Sequence, residues 1–589
     1  MITLRKKLTD IVSEAFIQNG YDASFGDVRI SDRQDLCQFQ CNGAFTCGKA
    51  QRTNPIEVAK KIVSSIKNDA VFKDISIAGP GFINFVLEDE FISKHINEIS
   101  ESKNLGIKSN FEPEKIIIDY GGPNVGKPLH VGHLRTAIIG ESLKRISRLL
   151  GHNVIGDIHL GDWGLQMGMI IVELKRQNPT WVYFDENYSG DYPKESPLSY
   201  EDFENTYPIA SKRAKDNEDI MAEAKEATNQ LQKGNPGYTA LWKHFVNISV
   251  NALKKSYEKL FVDFDLWLGE SDVQDIIEEM VEDLNKRGFT YKSEGALVID
   301  VKEESDDQEI PPFMVYKSDG STLYSTTDLA TILQRKKDYT PNSIWYVADS
   351  RQSMHFKQLF RCAYKTNILN KDTKLSFLGF GTMNGKDGKP YKTRDGGVMQ
   401  LEKLIDMVET KALERIENEK IGINYPEEEK HKIAHLVGVA ALKYADLMNH
   451  RTKDYVFDID RFLSFEGKTG AYLLYSVVRM KSLLRKAKEQ NFCIGSIKEP
   501  SSDIQRDLQL KIANLSDVVN KAFEEKAPNY ICDYAYNLAA DFNRFYHEHK
   551  ILTQEDSELR SSWLGLISLV HDIMSTCIDV LGIKSPERL

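Results

Sequence analysis

One stretch of the chain constrains its fold more than any other, because residues 115–160 contain a strand, a helix and a second strand in succession. KIIIDY, beginning at Lys115, has the apolar run of a buried strand, and so does NVIGDIHL, residues 153–160. Between them, apolar residues recur at helical spacing up to Gly151, which stands where a helix C-cap belongs. This order predicts a right-handed parallel crossover, in which ligands bind at the carboxyl ends of the strands.

The turn into that helix, GGPNVGKPLHVGHLRTAIIG, carries two histidines three positions apart. It does not fit the dinucleotide fingerprint G-x-G-x-x-G, and Pro123 removes a backbone donor. His130 and His133 stand at the start of the helix, where unpaired N–H groups and the dipole favour an anion. Either they donate to a phosphate or they only cap the helix, and a bare H-x-G-H does not decide between these interpretations.

Cationic residues elsewhere favour the phosphate. Lys127 lies three residues before His130, and a glycine-rich loop, GKDGKPYKTRDGG, follows a later candidate strand. That loop contains Lys386, Lys389, Lys392 and Arg394. A cationic loop of this kind can close over a triphosphate, although taken alone it is more typical of a solvated charge run.

The periodicity divides the chain into three domains. Residues 1–110 indicate a small α+β domain, and residues 111–425 an α/β domain of the Rossmann type, with a parallel sheet and a helical insertion at about 175–265. Residues 426–589 indicate an all-α bundle. Its helices are predicted at 431–449, 471–490, 503–523, 529–549 and 560–582.

Composition excludes several other classes of protein. The 589 residues are 41% hydrophobic and 28% charged, as in ordinary globular proteins, and the net charge of -11 argues against a surface coated by nucleic acid while leaving local basic patches open. We expect no apolar run of membrane-spanning length, no signal peptide and a cytoplasmic location with reduced thiols. Cys37, Cys41 and Cys47 form the one cysteine cluster, but their spacing fits no common zinc site, so no zinc or other protein-bound metal is expected.

Motifs along nearly the whole chain point to one family. The segment DYGGPNVGKPLHVGHLRTAIIGESLKRISRLLGHNVIGDIHLGDWGLQMG is followed in order by LWLGES, SDGSTLYSTTDLA, DSRQSMHFKQLF, GKDGKPYKTRDGG and GKTGAYLLYSVVR, and GPGFINF precedes it. Together these motifs resemble arginyl-tRNA synthetases, which are class I aminoacyl-tRNA synthetases. The K-M-S-K-S loop usual in class I synthetases is absent, and KPYKTRDGG resembles a variant seen in part of this family, so the lysine that meets pyrophosphate stays undecided among those of the loop.

The resemblance implies a reaction in two steps. The carboxylate of L-arginine attacks the α-phosphate of ATP, which gives arginyl-adenylate and pyrophosphate, and the terminal ribose of tRNA(Arg) then takes the arginyl group. His130, Gly132 and His133 would hold ATP with help from Lys127, and Lys389, Lys392 and Arg394 would close over it. Mg²⁺ would accompany the ATP, and we expect a monomer that binds no membrane. The resemblance also implies that adenylate formation depends on bound tRNA.

The resemblance also assigns residues to arginine and tRNA. Tyr324, Asp328 and Glu270 would recognise the guanidinium, while Asp119, Asn124 and Gln352 match positions around the bound amino acid. In the C-terminal bundle, which would bind the anticodon, Tyr472, Tyr475 and Arg479 share one helical face suited to stacking on unpaired bases. Asn84 and Phe85 match a segment that meets the tRNA D-loop.

Two other functions share some of these features. A small-molecule nucleotidyltransferase also uses H-x-G-H, but the long helical C-terminal domain and the guanidinium-type pocket argue against it. A catalytically inactive tRNA-binding relative would not need His130, His133 and Lys392, all of which are present.

Overall fold

The computed structural model describes residues 3–31, 33, 36–66, 70–318, 320–389, 391 and 399–589. The chain forms two compact units. The catalytic unit comprises Pro113–Ser464 and Leu581–Lys584, and the terminal unit comprises Met1–Glu112, Phe465–Val580 and Ser585–Leu589. The expected boundary at residues 425 and 426 therefore falls inside the catalytic unit.

The terminal unit begins with the α+β part of the chain. Its sheet is antiparallel with strand order β1-β2-β4-β3. The strands are β1 Val28–Ile30, β2 Phe39–Cys41, β3 Phe72–Ala78 and β4 Phe82–Leu87, and the helices are α1 Leu4–Gln18, α2 Gly43–Ala50, α3 Pro55–Ser65 and α4 Asp89–Glu101. The cysteines Cys37, Cys41 and Cys47 are buried here as reduced thiols.

A parallel sheet of strand order β12-β11-β5-β6-β7 forms the core of the catalytic unit. Its strands are β5 Lys115–Asp119, β6 Asn153–Leu160, β7 Leu266–Gly269, β11 Ser343–Asp349 and β12 Lys374–Phe380. Ile116, Ile117 and Ile118 of β5 are fully buried, as expected for a central strand covered on both faces. The predicted α/β fold class is confirmed, and the strand order reverses between β5 and β11.

Helices and shorter strands surround this sheet. An antiparallel sheet of order β10-β9-β8 and a short parallel pair, β13 with β14, complete the strands that the structure describes in this unit. These strands are β8 Thr290–Ser293, β9 Ala296–Ile299, β10 Phe313–Tyr316, β13 Met383–Asn384 and β14 Tyr455–Val456. The helices are α5 Val131–Leu149, α6 Leu165–Gln177, α7 Tyr200–Asp216, α8 Glu218–Gln232, α9 Pro236–Lys259, α10 Gln274–Lys286, α11 Tyr324–Tyr339, α12 Ser353–Lys365, α13 Leu401–Asn418, α14 Glu427–Leu447 and α15 Ile459–Phe462.

The remaining helices belong to the terminal unit. They are α16 Gly470–Glu489, α17 Asp503–Ala513, α18 Leu515–Glu524, α19 Asn529–Glu548 and α20 Ser557–Val580. The single helix predicted over 503–523 is thus two helices, which meet at Asn514. Among the described residues α20 alone is long and apolar enough to cross a membrane, with a mean hydropathy of 1.3, so the expectation that no such run exists was wrong. Because 67% of that window is buried, α20 packs as a core helix.

The two ends of the chain are joined within the terminal unit. The Asn97 side chain of α4 donates to the carbonyl of Ile497 at 2.7 Å and accepts from its N–H at 2.9 Å. Arg506 of α17 pairs with Asp89 at 2.5 Å. The α+β part therefore shares a core with the C-terminal helices, although the residues in contact lie about 400 positions apart in the sequence.

Candidate active site

The turn after β5 lies at the carboxyl edge of the parallel sheet, next to the reversal of strand order. Its backbone runs beside the end of β6, since Val125 N–H donates to Gly161 O at 3.0 Å and Gly161 N–H donates to Pro123 O at 3.0 Å. Ligands of open α/β sheets bind at such a reversal. The turn is therefore anchored where a ligand would be expected.

His130 and His133 form the N-terminal cap of α5. Gly132 N–H donates to Nδ1 of His130 at 3.0 Å, and His130 N–H donates to Nδ1 of His133 at 3.1 Å. Because each Nδ1 accepts a hydrogen bond, each neutral ring carries its proton on Nε2. The two sequence interpretations are therefore compatible, since the histidines cap the helix and still offer two Nε2–H donors.

Burial keeps both rings neutral near pH 7. It lowers the pKa of His133 to about 3, with smaller contributions from His130 and Lys127. Burial also lowers the pKa of His130, assisted by the positive charges of Lys127 and Arg351. The rings lie 4.0 Å apart, and neutral imidazoles can stay this close without repelling each other.

Gly132 leaves room for this cap. A Cβ at residue 132 would lie 2.8 Å from Cε1 of His130 and 2.9 Å from its Nδ1. A side chain there would therefore displace the ring that accepts the hydrogen bond of residue 132.

The ammonium of Lys127 lies 5.2 Å from the centre of the Tyr207 ring, a cation–π contact at the same turn.

An acidic pocket, formed by Asp162, Glu270 and Asp328, lies beside this turn. Asp162 and Glu270 follow the carboxyl ends of β6 and β7, and Asp328 is in the second turn of α11. Burial raises the pKa of Glu270 to about 7, and the charges of Asp162 and Asp328 raise it further. Three carboxylates this close to one another favour a cationic ligand group.

Each carboxylate of the pocket has a donor of its own. Asp162 accepts from Ser271 N–H at 3.0 Å and from Ser271 Oγ at 2.6 Å, and Nε2 of His355 lies 2.7 Å from Oδ2 of Asp328. Glu270 accepts from the N–H of Trp163. These donors orient the carboxylates without neutralising the pocket.

Three other residues predicted to surround arginine have exposed side chains. The Tyr324 ring is 61% exposed at the start of α11 and lies 4.9 Å from the ring of His355. Asn124 is exposed and receives a long hydrogen bond of 3.4 Å from Gln166, and Gln352 is exposed at the end of a short turn after β11. Their side chains are available to a ligand.

Asp119 has a second role, which sequence reasoning missed. Its Oδ2 accepts from Nη2 of Arg335 at 2.6 Å, and the same nitrogen donates to Oδ2 of Asp157 at 2.5 Å. Arg335 and Asp157 are fully buried. The carboxyl end of β5 and the middle of β6 are therefore joined through one guanidinium. Arg335 follows Asp328 by seven residues, which places both on one face of the same helix. This spacing could have identified Arg335 from the sequence.

Part of the predicted cationic loop can be located. Lys386 pairs with Asp458 at 3.1 Å, and Lys389 is exposed beside a tight turn in which Gly385 N–H donates to Lys389 O at 2.8 Å. Lys392 and Arg394 lie outside the described residues. Within the described ranges, no group of three or more His, Cys, Asp or Glu residues could hold a metal ion.

The stacking face of α16 borders a cavity of the terminal unit. Arg479 lies 4.5 Å from the centre of the Tyr475 ring and 5.1 Å from that of Tyr546, and it donates to Asn543 at 2.6 Å. Asn543 donates in turn to the hydroxyl of Tyr472 at 2.9 Å. The cavity, about 510 Å³ in volume, is lined among others by Tyr475, Arg479, Lys486, Tyr546, Lys550 and Leu589.

Comparison with known proteins decides the family. Residues 95–459 match the catalytic domain of class I tRNA synthetases (R), residues 473–589 the DALR anticodon binding domain, and residues 3–87 the arginyl tRNA synthetase N terminal domain. This chain belongs to the arginyl-tRNA synthetase family. The family model for the catalytic domain spans the H-x-G-H turn and the acidic pocket, and the anticodon-domain model spans the cavity at α16.

Relatives match over the full length. The arginine–tRNA ligase of Alkaliphilus oremlandii is 53% identical over 100% of both chains, and that of Agathobacter rectalis is 48% identical over 99% of this chain and 100% of its own. Among solved structures, the arginyl-tRNA synthetase of Plasmodium falciparum covers 100% of both chains with a TM-score of 0.79 and 25% identity. That of Thermus thermophilus, at 21% identity and a TM-score of 0.77, shows the same fold.

Within this family fold, the two residues predicted to meet the D-loop lie on opposite faces of the antiparallel sheet. Asn84 is only 7% exposed and accepts from Gln40 at 2.8 Å, on the sheet face that also carries the exposed Arg29 and Ser76. Phe85 is fully buried, with its ring 5.0 Å from that of Phe72. Adjacent strand residues point to opposite faces, so the Phe85 side chain belongs to the core of this sheet.

Proposed function

We propose that this chain activates L-arginine with ATP and transfers the arginyl group to the 3′-terminal ribose of tRNA(Arg). The observation that carries this proposal is the acidic pocket next to the histidine-capped turn. A guanidinium needs carboxylate acceptors, and a triphosphate needs N–H donors at a helix start. The histidine cap and the acidic pocket both lie at the carboxyl edge of the parallel sheet, where the two substrates of adenylate formation can lie together.

We infer that the histidine cap binds the phosphates of ATP. The Nε2–H groups of His130 and His133 donate to the α-phosphate as negative charge grows there, and Lys127 adds positive charge. Gly132 keeps the helix start open. Lys389, Lys392 and Arg394 stabilise the leaving pyrophosphate, and Mg²⁺ bound to the ATP would balance part of its charge. No residue forms a covalent intermediate, because alignment and charge stabilisation suffice for attack by the arginine carboxylate.

We infer that the acidic pocket binds the guanidinium of the substrate. Glu270 and Asp328 accept its N–H groups, and the exposed Tyr324 ring covers it. Asp119, Asn124 and Gln352 are available for the amino and carboxylate groups of arginine. This assignment is supported by the spare acceptor capacity of Asp328, of which one oxygen is held by His355.

The terminal unit is proposed to bind tRNA(Arg). Tyr475 and Arg479 line the cavity at α16, where an unstacked base would meet aromatic rings and cations, and Tyr472 extends the same face. Asn84 is proposed to contact the D-loop from the outer face of the antiparallel sheet. We further propose that the protein acts in the cytoplasm as a monomer without membrane attachment.

Pyrophosphate exchange tests this function. The purified chain is incubated with ATP, labelled pyrophosphate and each of the twenty amino acids, with and without tRNA. Exchange with arginine alone, and only in the presence of tRNA, supports the proposal together with the tRNA requirement that the family resemblance implies. Exchange with another amino acid, or none with arginine while tRNA still binds, overturns it.

A further inference from the structure

Asp328 is held from outside its own helix. Nε2 of His355, on α12, lies 2.7 Å from Oδ2 of Asp328, and the two side chains are 15% and 26% exposed. A carboxylate oxygen only accepts, so Nε2 of His355 carries the proton of this bond. The contact joins the helices α11 and α12 at the pocket.

The pocket needs such a donor. Burial raises the pKa of Glu270, and the carboxylates of Asp162 and Asp328 lie close enough to Glu270 for their negative charges to raise it further. Their mutual repulsion favours rotation of Asp328 away from the pocket. Asp162 is fixed by Ser271, whereas Asp328 has, among the hydrogen bonds of the described residues, His355 as its side-chain partner.

We propose that His355 is a positioning residue that holds the Asp328 carboxylate in the orientation that a guanidinium fork requires. It thereby favours arginine over lysine. A guanidinium presents two N–H groups in a fixed plane and needs an acceptor in that plane, whereas an ammonium is a point charge that tolerates a rotated carboxylate. This inference rests on the proposed binding of arginine to the acidic pocket.

A purely packing role for His355 makes a different prediction. Its ring lies 4.9 Å from that of Tyr324 and 5.1 Å from that of Phe356, so the aromatic surface itself could be what matters. His355→Phe keeps the ring and removes the donor. His355→Gln removes the ring and keeps an N–H donor at a similar distance from the backbone.

The experiment compares these two variants in pyrophosphate exchange with tRNA present. We expect His355→Phe to raise the KM for arginine about tenfold, the size of a lost charge-assisted hydrogen bond, with the KM for ATP unchanged. We expect His355→Gln to restore most of the loss. The ratio of kcat/KM for arginine over lysine should fall in His355→Phe and recover in His355→Gln.

Controls separate the possible failures. Met354→Gln, at an exposed position on the same helix, should leave both KM values unchanged. If His355→Phe behaves as the unmodified chain and His355→Gln is the poorer variant, the ring matters and the positioning role is overturned. If the unmodified chain shows no exchange with arginine, the proposed function itself fails, and that result is distinguishable because it does not depend on His355.

Discussion

At the scale of single residues, the histidine cap combines a structural and a chemical role. Each ring accepts a backbone hydrogen bond on Nδ1 and presents Nε2–H on its far side. The low pKa of His133 means that this donor is a neutral imidazole throughout the physiological range. A neutral donor stabilises charge that develops on a phosphate without first forming an ion pair with the ground state.

Removing one of these donors should slow the chemical step. We expect His133→Ala to lower kcat for pyrophosphate exchange by about 10²- to 10³-fold, as is typical when one donor to a transition-state oxyanion is lost. His133→Gln, whose amide nitrogen lies near the position of Nε2, should lose less. Thermal unfolding of both variants checks that the loss is not caused by the missing cap. Equal losses in the two variants would contradict a donor role.

Glu270 should make arginine binding depend on pH. Its pKa is about 7 in the free protein and 4.5 for an ordinary glutamate, so below pH 7 the free pocket holds an extra proton. The guanidinium prefers the ionised form, and binding must then release that proton. The affinity for arginine therefore increases as the pH rises towards 7 and levels off above it.

This dependence can be measured directly. As the pH rises towards 7, the KM for arginine should fall by up to about tenfold per pH unit, since binding releases one proton. The KM for ATP should show no such slope. Glu270→Gln should raise the KM for arginine at pH 8 and flatten its pH profile. A profile in Glu270→Gln that still bends near pH 7 would assign the titration to another group.

At the scale of elements, α11 organises the centre of the catalytic unit. Tyr324, Asp328 and Arg335 lie at positions i, i+4 and i+11, which places them along one face. The first turns serve the pocket, and the guanidinium of Arg335 joins Asp119 at the carboxyl end of β5 to Asp157 in the middle of β6. The helix is thus fixed against the sheet by Arg335 in its fourth turn and presents its N-terminal residues to the ligand.

Breaking this link should destabilise the catalytic unit. Arg335→Met leaves two carboxylates without their cation, and we expect a loss of about 3 to 5 kcal/mol in the free energy of unfolding, as for one partner removed from a buried ion pair. Urea unfolding, followed through a probe in the catalytic unit, measures it. Lys337→Met, at an exposed position on the same helix, should change the stability little. A loss of less than about 1 kcal/mol would show that the pair is dispensable, as surface pairs are.

At the scale of the whole molecule, the compact units do not follow the order of the chain. The α+β part and the helices after Phe465 form one unit, while α14 and the short segment Leu581–Lys584 belong to the catalytic unit. In that unit, the buried Lys443 of α14 donates to the carbonyl of Gly582 at 2.7 Å. The terminal unit, which is proposed to bind tRNA, is thus built from both the N-terminal and the C-terminal part of the chain.

Asn97 offers a test of this shared core. Asn97→Ala removes both hydrogen bonds to Ile497, and we expect a loss of about 1 to 3 kcal/mol, because a buried donor and acceptor lose their partner. Hydrogen exchange should show faster exchange of the Ile497 amide. Glu90→Ala, exposed on the same helix, is the matched control. Unchanged protection at Ile497 would show that the two parts of this unit are independently stable.

The sequence by itself determined what depends on neighbours along the chain. The parallel crossover, the histidine cap and the pairing of Tyr324 with Asp328 on one helix face all follow from spacings of two to four residues, which strand and helix geometry translate directly into shared faces. The family resemblance also singled out Glu270, whose role in binding arginine stays a prediction. Because successive side chains along a strand point to opposite faces, the sequence would also have placed Asn84 and Phe85 on opposite faces, although the resemblance assigned both to the D-loop contact.

Only the tertiary structure decided what depends on distant residues. Asp119 and Arg335 are 216 positions apart, and Asn97 and Ile497 are 400 apart. The raised pKa of Glu270 likewise arises from burial and from two carboxylates on other elements. No local periodicity specifies these contacts, because burial, ion pairing and unit boundaries are set by which faces meet when the chain packs, and that depends on the whole sequence at once.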